Sequence, residues 1–254
     1  MEPARSWVRP ATSSIPHVSY AKYPWKLDIV ATVFWIGESK SENNPVSNVA
    51  SSWDVAWQSS FGGTDDPDRR AADFRPAAFV PRQNPFYVAL PYNDVVSSTV
   101  TKDDASRIIP WFRECFKGQG KSVCRDRWIA IRSGERICYA QWSDCGPFIT
   151  TDASYVFGDS RPSNTQNNGA GLDISPSVRD YLGFSASGGK CDWRFVDAHE
   201  VPDGPWRRFG DNNPFAKAGS APAVDTVVAS RLEELRRQRD EWFRQNGNSQ
   251  YQQR

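Results

Sequence analysis

The stretch RDRWIAIRSGERICYAQWSD, residues 125–144, constrains the fold more than any other. Two runs rich in β-branched and aromatic residues flank Ser133-Gly134, a pair suited to a tight reversal, so a β-hairpin is predicted here. The second strand ends in Asp144, Cys145, Gly146 and Pro147: a carboxylate closing an apolar run, followed by residues that redirect the backbone. Three further segments read as strands: LDIVATVFWIG (27–37), PFYVALPYND (85–94, strand into turn) and the alternating CDWRFVDAHEV (191–201). A short helix is predicted in DDASRIIPWFRECF from Asp103 or Asp104. Another is predicted in LDISPSVRDYLG, with Ser175 as N-cap, Pro176 as first helical residue and Gly183 as the stop. Short strands joined by wandering loops, without alternating βα units, predict a mainly β barrel.

The 254 residues divide accordingly. Residues 1–24 are Pro- and Ser-rich and read as an N-terminal arm, and 25–206 as the barrel domain with an N-terminal elaboration. Residues 207–222 form a Gly/Pro/Ala linker, and 223–247 an amphipathic C-terminal helix with Val228, Leu232, Leu235 and Trp242 on one stripe. Residues 38–84 are loop-like yet carry Trp53 and Trp57, and a loop of that length is expected to be functional or irregularly packed.

Charge excludes one class of partner. A net charge of +1 with no basic stripe is unlike a nucleic-acid binder. The longest apolar stretch, IVATVFWIG, is too short to span a bilayer. Five cysteines without a CxxC pair and only two histidines give no expectation of a metal or other cofactor. If the hairpin folds as read, Cys124 falls opposite Ser143 to Cys145, and a Cys124–Cys145 disulfide would staple its base. Eleven tryptophans against a single methionine suit a core, and equally a site that stacks sugar rings.

The order hairpin, DCGPF, GLDISPSVRDYLG, DWRFV resembles the double-psi β-barrel of the rare lipoprotein A-like proteins, the expansins and the family 45 endoglucanases. Its two-aspartate spacing is similar to that of the lytic transglycosylases with three-aspartate domains. Asp144, Gly146, Pro147 and Phe148 match a DRGPF-type turn, and Asp173, Ser175, Leu182 and Gly183 match a DLSxxAxxxLG segment. The resemblance spans residues 86–200. It departs at Cys145, where Arg is usual, in a longer loop from Thr150 to Gly171, and in YVALPYND, which lacks the family's upstream histidine. The resemblance implies a six-stranded double-psi-like barrel acting on peptidoglycan or β-glucan in a secreted or periplasmic setting, with no signal peptide in the sequence as given.

Glycosidic cleavage needs a carboxylic acid with a raised pKa to protonate the leaving oxygen. Asp144, set among Trp142, Pro147 and Phe148, is the leading candidate for that acid. Asp173 is a second carboxylate that barrel closure would bring near, and Asp94 a third. Tyr92 and Asn93 are candidate hydrogen-bonding contacts, and Trp142, Trp53 and Trp57 candidate stacking surfaces. Asp144 also suits a turn cap, and Asp173 a helix start. Two other functions fit the residues: an expansin-like barrel that binds glycan without cutting it, and a Cys-His amidase or peptidase using Cys145 and His199.

Overall fold

Tyr87, Val88, Ala89 and Leu90 form a four-residue strand that is buried on both faces, and the fold is organised around it. The computed structural model describes residues 22–41, 44, 46–218 and 238. Its strands are β1 (Lys26–Val33), β2 (Tyr87–Leu90), β3 (Val95–Ser97), β4 (Val100–Thr101), β5 (Trp128–Ser133), β6 (Arg136–Cys145), β7 (Leu172–Ile174) and β8 (Gly189–Phe195). Six of them close a barrel in the order β1-β7-β2-β6-β5-β8, and β3 with β4 makes a separate two-stranded ribbon. The barrel is mixed: β1 runs parallel to β7 and β2 parallel to β6, while the other neighbours are antiparallel.

Local chemistry accounts for most elements. The β5–β6 hairpin turns through Gly134 and Glu135, with Gly134 at φ +57°. A mirror-image hairpin turn reserves that first position for glycine. In β8 the alternation reads out directly: Cys191, Trp193 and Phe195 face the interior. Val88 and Leu90 face the same barrel core, whereas Tyr87 and Ala89 face outward and are covered by a second apolar cluster with Phe34, Ile36, Trp57 and Phe61. That covering explains why β2 does not alternate in burial.

The helices are short: α1 (Trp57–Phe61), α2 (Ala105–Ile108), α3 (Phe112–Cys115), α4 (Ala153–Val156), α5 (Pro176–Leu182) and α6 (Pro214–Ala218). Among the described residues no helix is long and apolar enough to cross a membrane. α5 begins and ends as its sequence predicts. The Ser175 hydroxyl accepts from Val178 N, Pro176 is the first residue, and Gly183 closes the helix at φ +75°. The DDASRIIPWFRECF segment differs from the single capped helix expected. Pro110 forces Ile109 into an extended conformation, so two single turns form, and Asp104 makes no side-chain capping bond.

Residues 38–84 pack as a built elaboration. Asp65 is fully buried, pairs with Arg70 and accepts from the Tyr87 hydroxyl at 2.8 Å, tying this segment to β2. Trp57 and Tyr87 pack edge to face with centroids 5.5 Å apart.

Two expectations need correction. All five cysteines are free thiols. The hairpin's pairing with the incoming chain ends at Trp142, whose N donates to Arg127 O and whose O accepts from Asp126 N. Beyond it β6 pairs with β2, so Cys145 sits opposite Leu90 and not Cys124. The expected linker is packed over its described part: Phe209 and Asn213 are buried, and Asn212 donates to Asp126 and accepts from Asn84 N. The expected C-terminal stripe, Val228, Leu232, Leu235 and Trp242, lies outside the described residues, as do residues 1–21 of the expected arm.

Candidate active site

One row of residues crosses four strands of the barrel. Thr32 on β1 is paired with Asp173 on β7, Asp173 with Ala89 on β2, and Ala89 with Asp144 on β6. Side chains directly opposite on neighbouring strands share a face. The two carboxylates therefore point to the same side, two strand spacings apart or about 10 Å at Cα, with only a methyl group between them. Asp144 owes its place to a β-bulge: the register advances by one between Val88 and Ala89, so Ser143 is passed over and Asp144 takes the outward position. Bulges re-aim side chains in this way.

The row forms part of the wall of a groove of about 1430 Å³. Other walls come from residues 30–35, from the loop carrying Glu38 and Ser52, and from the turn at Gly146 to Phe148. The two sequence motifs meet here. A Cβ added at Gly146 would lie 3.4 Å from Asp173 Oδ2 and 3.8 Å from Ala89 Cβ.

The two aspartates differ in their surroundings. Asp144 is 9 % exposed; its Oδ1 accepts from Ser52 N at 2.7 Å and Cys145 N at 2.8 Å, and its main-chain oxygen accepts from the Trp142 indole at 2.7 Å. Burial raises its pKa, and the two N–H donors partly offset that rise. Asp173 is partly exposed, and its Oδ1 accepts from the Thr32 hydroxyl. Burial raises its pKa to about 7 against the hydrogen bond from Thr32, with the charges of Asp144 and Glu38 pushing the same way as burial. Glu38 is itself raised by burial and accepts from Asn48 Nδ2 at 2.9 Å.

The remaining predicted residues lie elsewhere. Asp94 is fully buried, with its carboxylate satisfied by the Ser122 hydroxyl at 2.6 Å and Val123 N at 2.7 Å; it holds a loop together and does not line the groove. Tyr92 is buried against Phe157, and burial raises its phenol. Asn93 Oδ1 accepts from the Trp53 indole and from Val95 N. Trp142 and Trp57 are core residues, and Trp53 packs edge-on against Trp142. None of these three indoles lines the groove. Cys145 lines it, but burial first and then the Asp144 charge push its thiol well above the ordinary range, which disfavours a thiolate. His199 sits in a 3-10 turn (Ala198–Glu200) after β8 and is not among the groove's lining residues, so the Cys-His pair is not assembled.

Four residues of the site escaped sequence reasoning: Thr32, Trp35, Glu38 and Ser52. Thr32 and Trp35 lie within the apolar run 27–37, and only its pairing with β7 reveals which of them face the groove. Ser52 contributes its backbone N–H and its side chain to Asp144 from a loop more than ninety residues away along the chain, so nothing local marks it. Among the described residues no group of three or more His, Cys, Asp or Glu side chains is arranged to hold a metal ion. The sequence matches no protein-family model, and no curated protein is significantly similar to it.

Proposed function

We propose that this protein cleaves a polysaccharide by acid catalysis in the groove, on a barrel of the double-psi type. The observation that carries the reading is the Asp173–Asp144 pair on one row of the barrel at an open groove. The acid is Asp173, in place of the Asp144 expected from sequence. A carboxyl that titrates near 7 holds its proton at working pH and gives it to the bridging oxygen as the glycosidic bond breaks. Asp144 is fixed by two backbone donors on Oδ1 and by the Ser52 side chain, and its carboxylate faces the positive charge that develops on the sugar or takes a proton from the attacking hydroxyl. That attacker is water in a glycosidase and the sugar's own hydroxyl in a lytic transglycosylase. Peptidoglycan and β-glucan are the substrate classes, with a secreted or periplasmic location to match. With five free thiols the cysteines give no separate support for an oxidising compartment, so the proposed location follows from substrate alone.

The test is release of soluble fragments from purified sacculi and from insoluble β-glucan, with reducing and anhydro ends resolved by mass spectrometry. Asp173→Asn lowers release by about 10²-fold or more, the usual contribution of a general acid. Unchanged release by this variant refutes the mechanism. Binding without cutting is the second reading, favoured by the two main-chain N–H groups that hold Asp144 in place. Wild-type protein that pulls down glycan and releases nothing selects it.

A further inference from the structure

The chain leaves β1 after Val33 and turns directly into the groove. Phe34 N donates to Ile174 O at 3.2 Å, which keeps the chain beside β7, while the Phe34 ring packs into the second cluster edge-on to Tyr87. Trp35 follows on the groove side. It is partly exposed, lines the groove, and pairs with no other aromatic ring among the described residues. Its indole N–H has no hydrogen-bond partner there either, as is true of Trp25 and Trp128, but of these three only Trp35 lines the groove; the Trp53, Trp57, Trp111, Trp142, Trp193 and Trp206 indoles all donate within the fold. A half-exposed indole with a free donor is an amphipathic surface awaiting a ligand.

The same turn presents a carboxyl. Glu38 N donates to Trp35 O at 3.1 Å, closing a four-residue turn. Asn48 fixes Glu38 from the opposite side: Asn48 N donates to Glu38 O at 2.9 Å, and Asn48 Nδ2 donates to Glu38 Oε2 at 2.9 Å. The side chain is thereby held at the groove wall, where the Trp35 backbone N–H and the Asn44 side chain also donate to its carboxylate. The charges in the groove restrict what lies on it. Among the described lining residues the acids are Glu38, Asp144 and Asp173 and the only cation is Lys190, whose ammonium is paired with Asp28 at 2.9 Å. A sugar carboxylate finds no free counter-charge there.

We propose that the turn from Trp35 to Glu38 is a subsite for one uncharged pyranose ring of a glycan chain, stacked on the Trp35 indole and donating a hydroxyl to Glu38. It deepens the glycan-cleaving reading and rests on it. The subsite gives the elaboration that follows β1 a role: it carries the ring next to the one being cut.

Binding to the full chain carrying Asp173→Asn, which holds substrate without turning it over, tests the subsite by calorimetry with cellohexaose, chitohexaose and hexagalacturonate. The parent binds at least one of the two neutral hexamers, and hexagalacturonate much more weakly. Adding Trp35→Ala weakens the neutral hexamer by about tenfold or more, adding Trp35→Phe weakens it less, and adding Glu38→Ala weakens it as well. Equal affinity in the Trp35→Ala and Glu38→Ala chains overturns the subsite while leaving the glycan reading standing. Binding of hexagalacturonate as tight as that of the neutral hexamers overturns the uncharged-ring assignment. A parent that binds none of the three overturns the subsite and the glycan reading together.

Discussion

Asp173 and Asp144 are the same residue type on the same face, and their hydrogen-bond partners are what separate their proposed roles. Asp144 meets two backbone donors, and Asp173 meets one hydroxyl and two neighbouring acids. The folded state holds the Asp173 proton more tightly than an unfolded chain would, about 7 against 3.8. The stabilisation from that proton is complete below about pH 4 and is lost as pH rises to about 7, and Asp144, also raised, acts in the same direction. Urea unfolding between pH 4 and 8 therefore shows stability falling with pH, and Asp173→Asn, which stays neutral throughout, flattens the slope. On the proposed mechanism the same proton sets the rate, and kcat/KM for glycan cleavage is expected to fall above about pH 7 in the wild type. A wild-type stability curve that is flat over this range contradicts the assignment.

At the scale of elements, the joint between β2 and α5 does the most. Ser175 Oγ accepts from Val178 N and Tyr87 N and donates to Pro85 O, so one fully buried hydroxyl caps the helix and ties it to the strand beside the site. Ser175→Ala leaves those groups unsatisfied inside the protein and costs about 2–3 kcal/mol, measured as a lower urea midpoint at unchanged slope. A change below about 0.5 kcal/mol would mean that the hydroxyl is dispensable. The bulge in β6 is the other decisive element. Without its extra residue Ser143 would face the groove, and the carboxylate at the strand's end would point away.

Over the whole molecule, the barrel and its elaboration are held by packing and buried polar networks, with five thiols left reduced. A non-reducing mass map finds all five cysteines alkylated after unfolding, and reductant leaves the thermal midpoint unchanged; a loss of two mass units would restore the Cys124–Cys145 bridge. Much of this architecture was legible in local patterns. The hairpin, the alternating β8 and the capped α5 declare themselves because turn chemistry, two-residue alternation and helix capping act over a few neighbouring residues. Asp144 and Asp173 were legible as candidates because each stands at a strand where an apolar run meets a carboxylate. Asp94 has the same local appearance, yet two loop donors consume it. The tryptophans make the same point: of those expected from sequence Trp57 and Trp142 are core and Trp53 packs partly buried against the core, and among the described residues Trp35, inside a strand-like run, is the tryptophan that lines the groove. What the sequence by itself determined are the elements whose causes lie within a few residues along the chain. Which carboxylates share a groove, which of them holds its proton, and which indole lines that groove were decided by tertiary structure alone, because burial, charge proximity and strand register depend on residues more than fifty positions away.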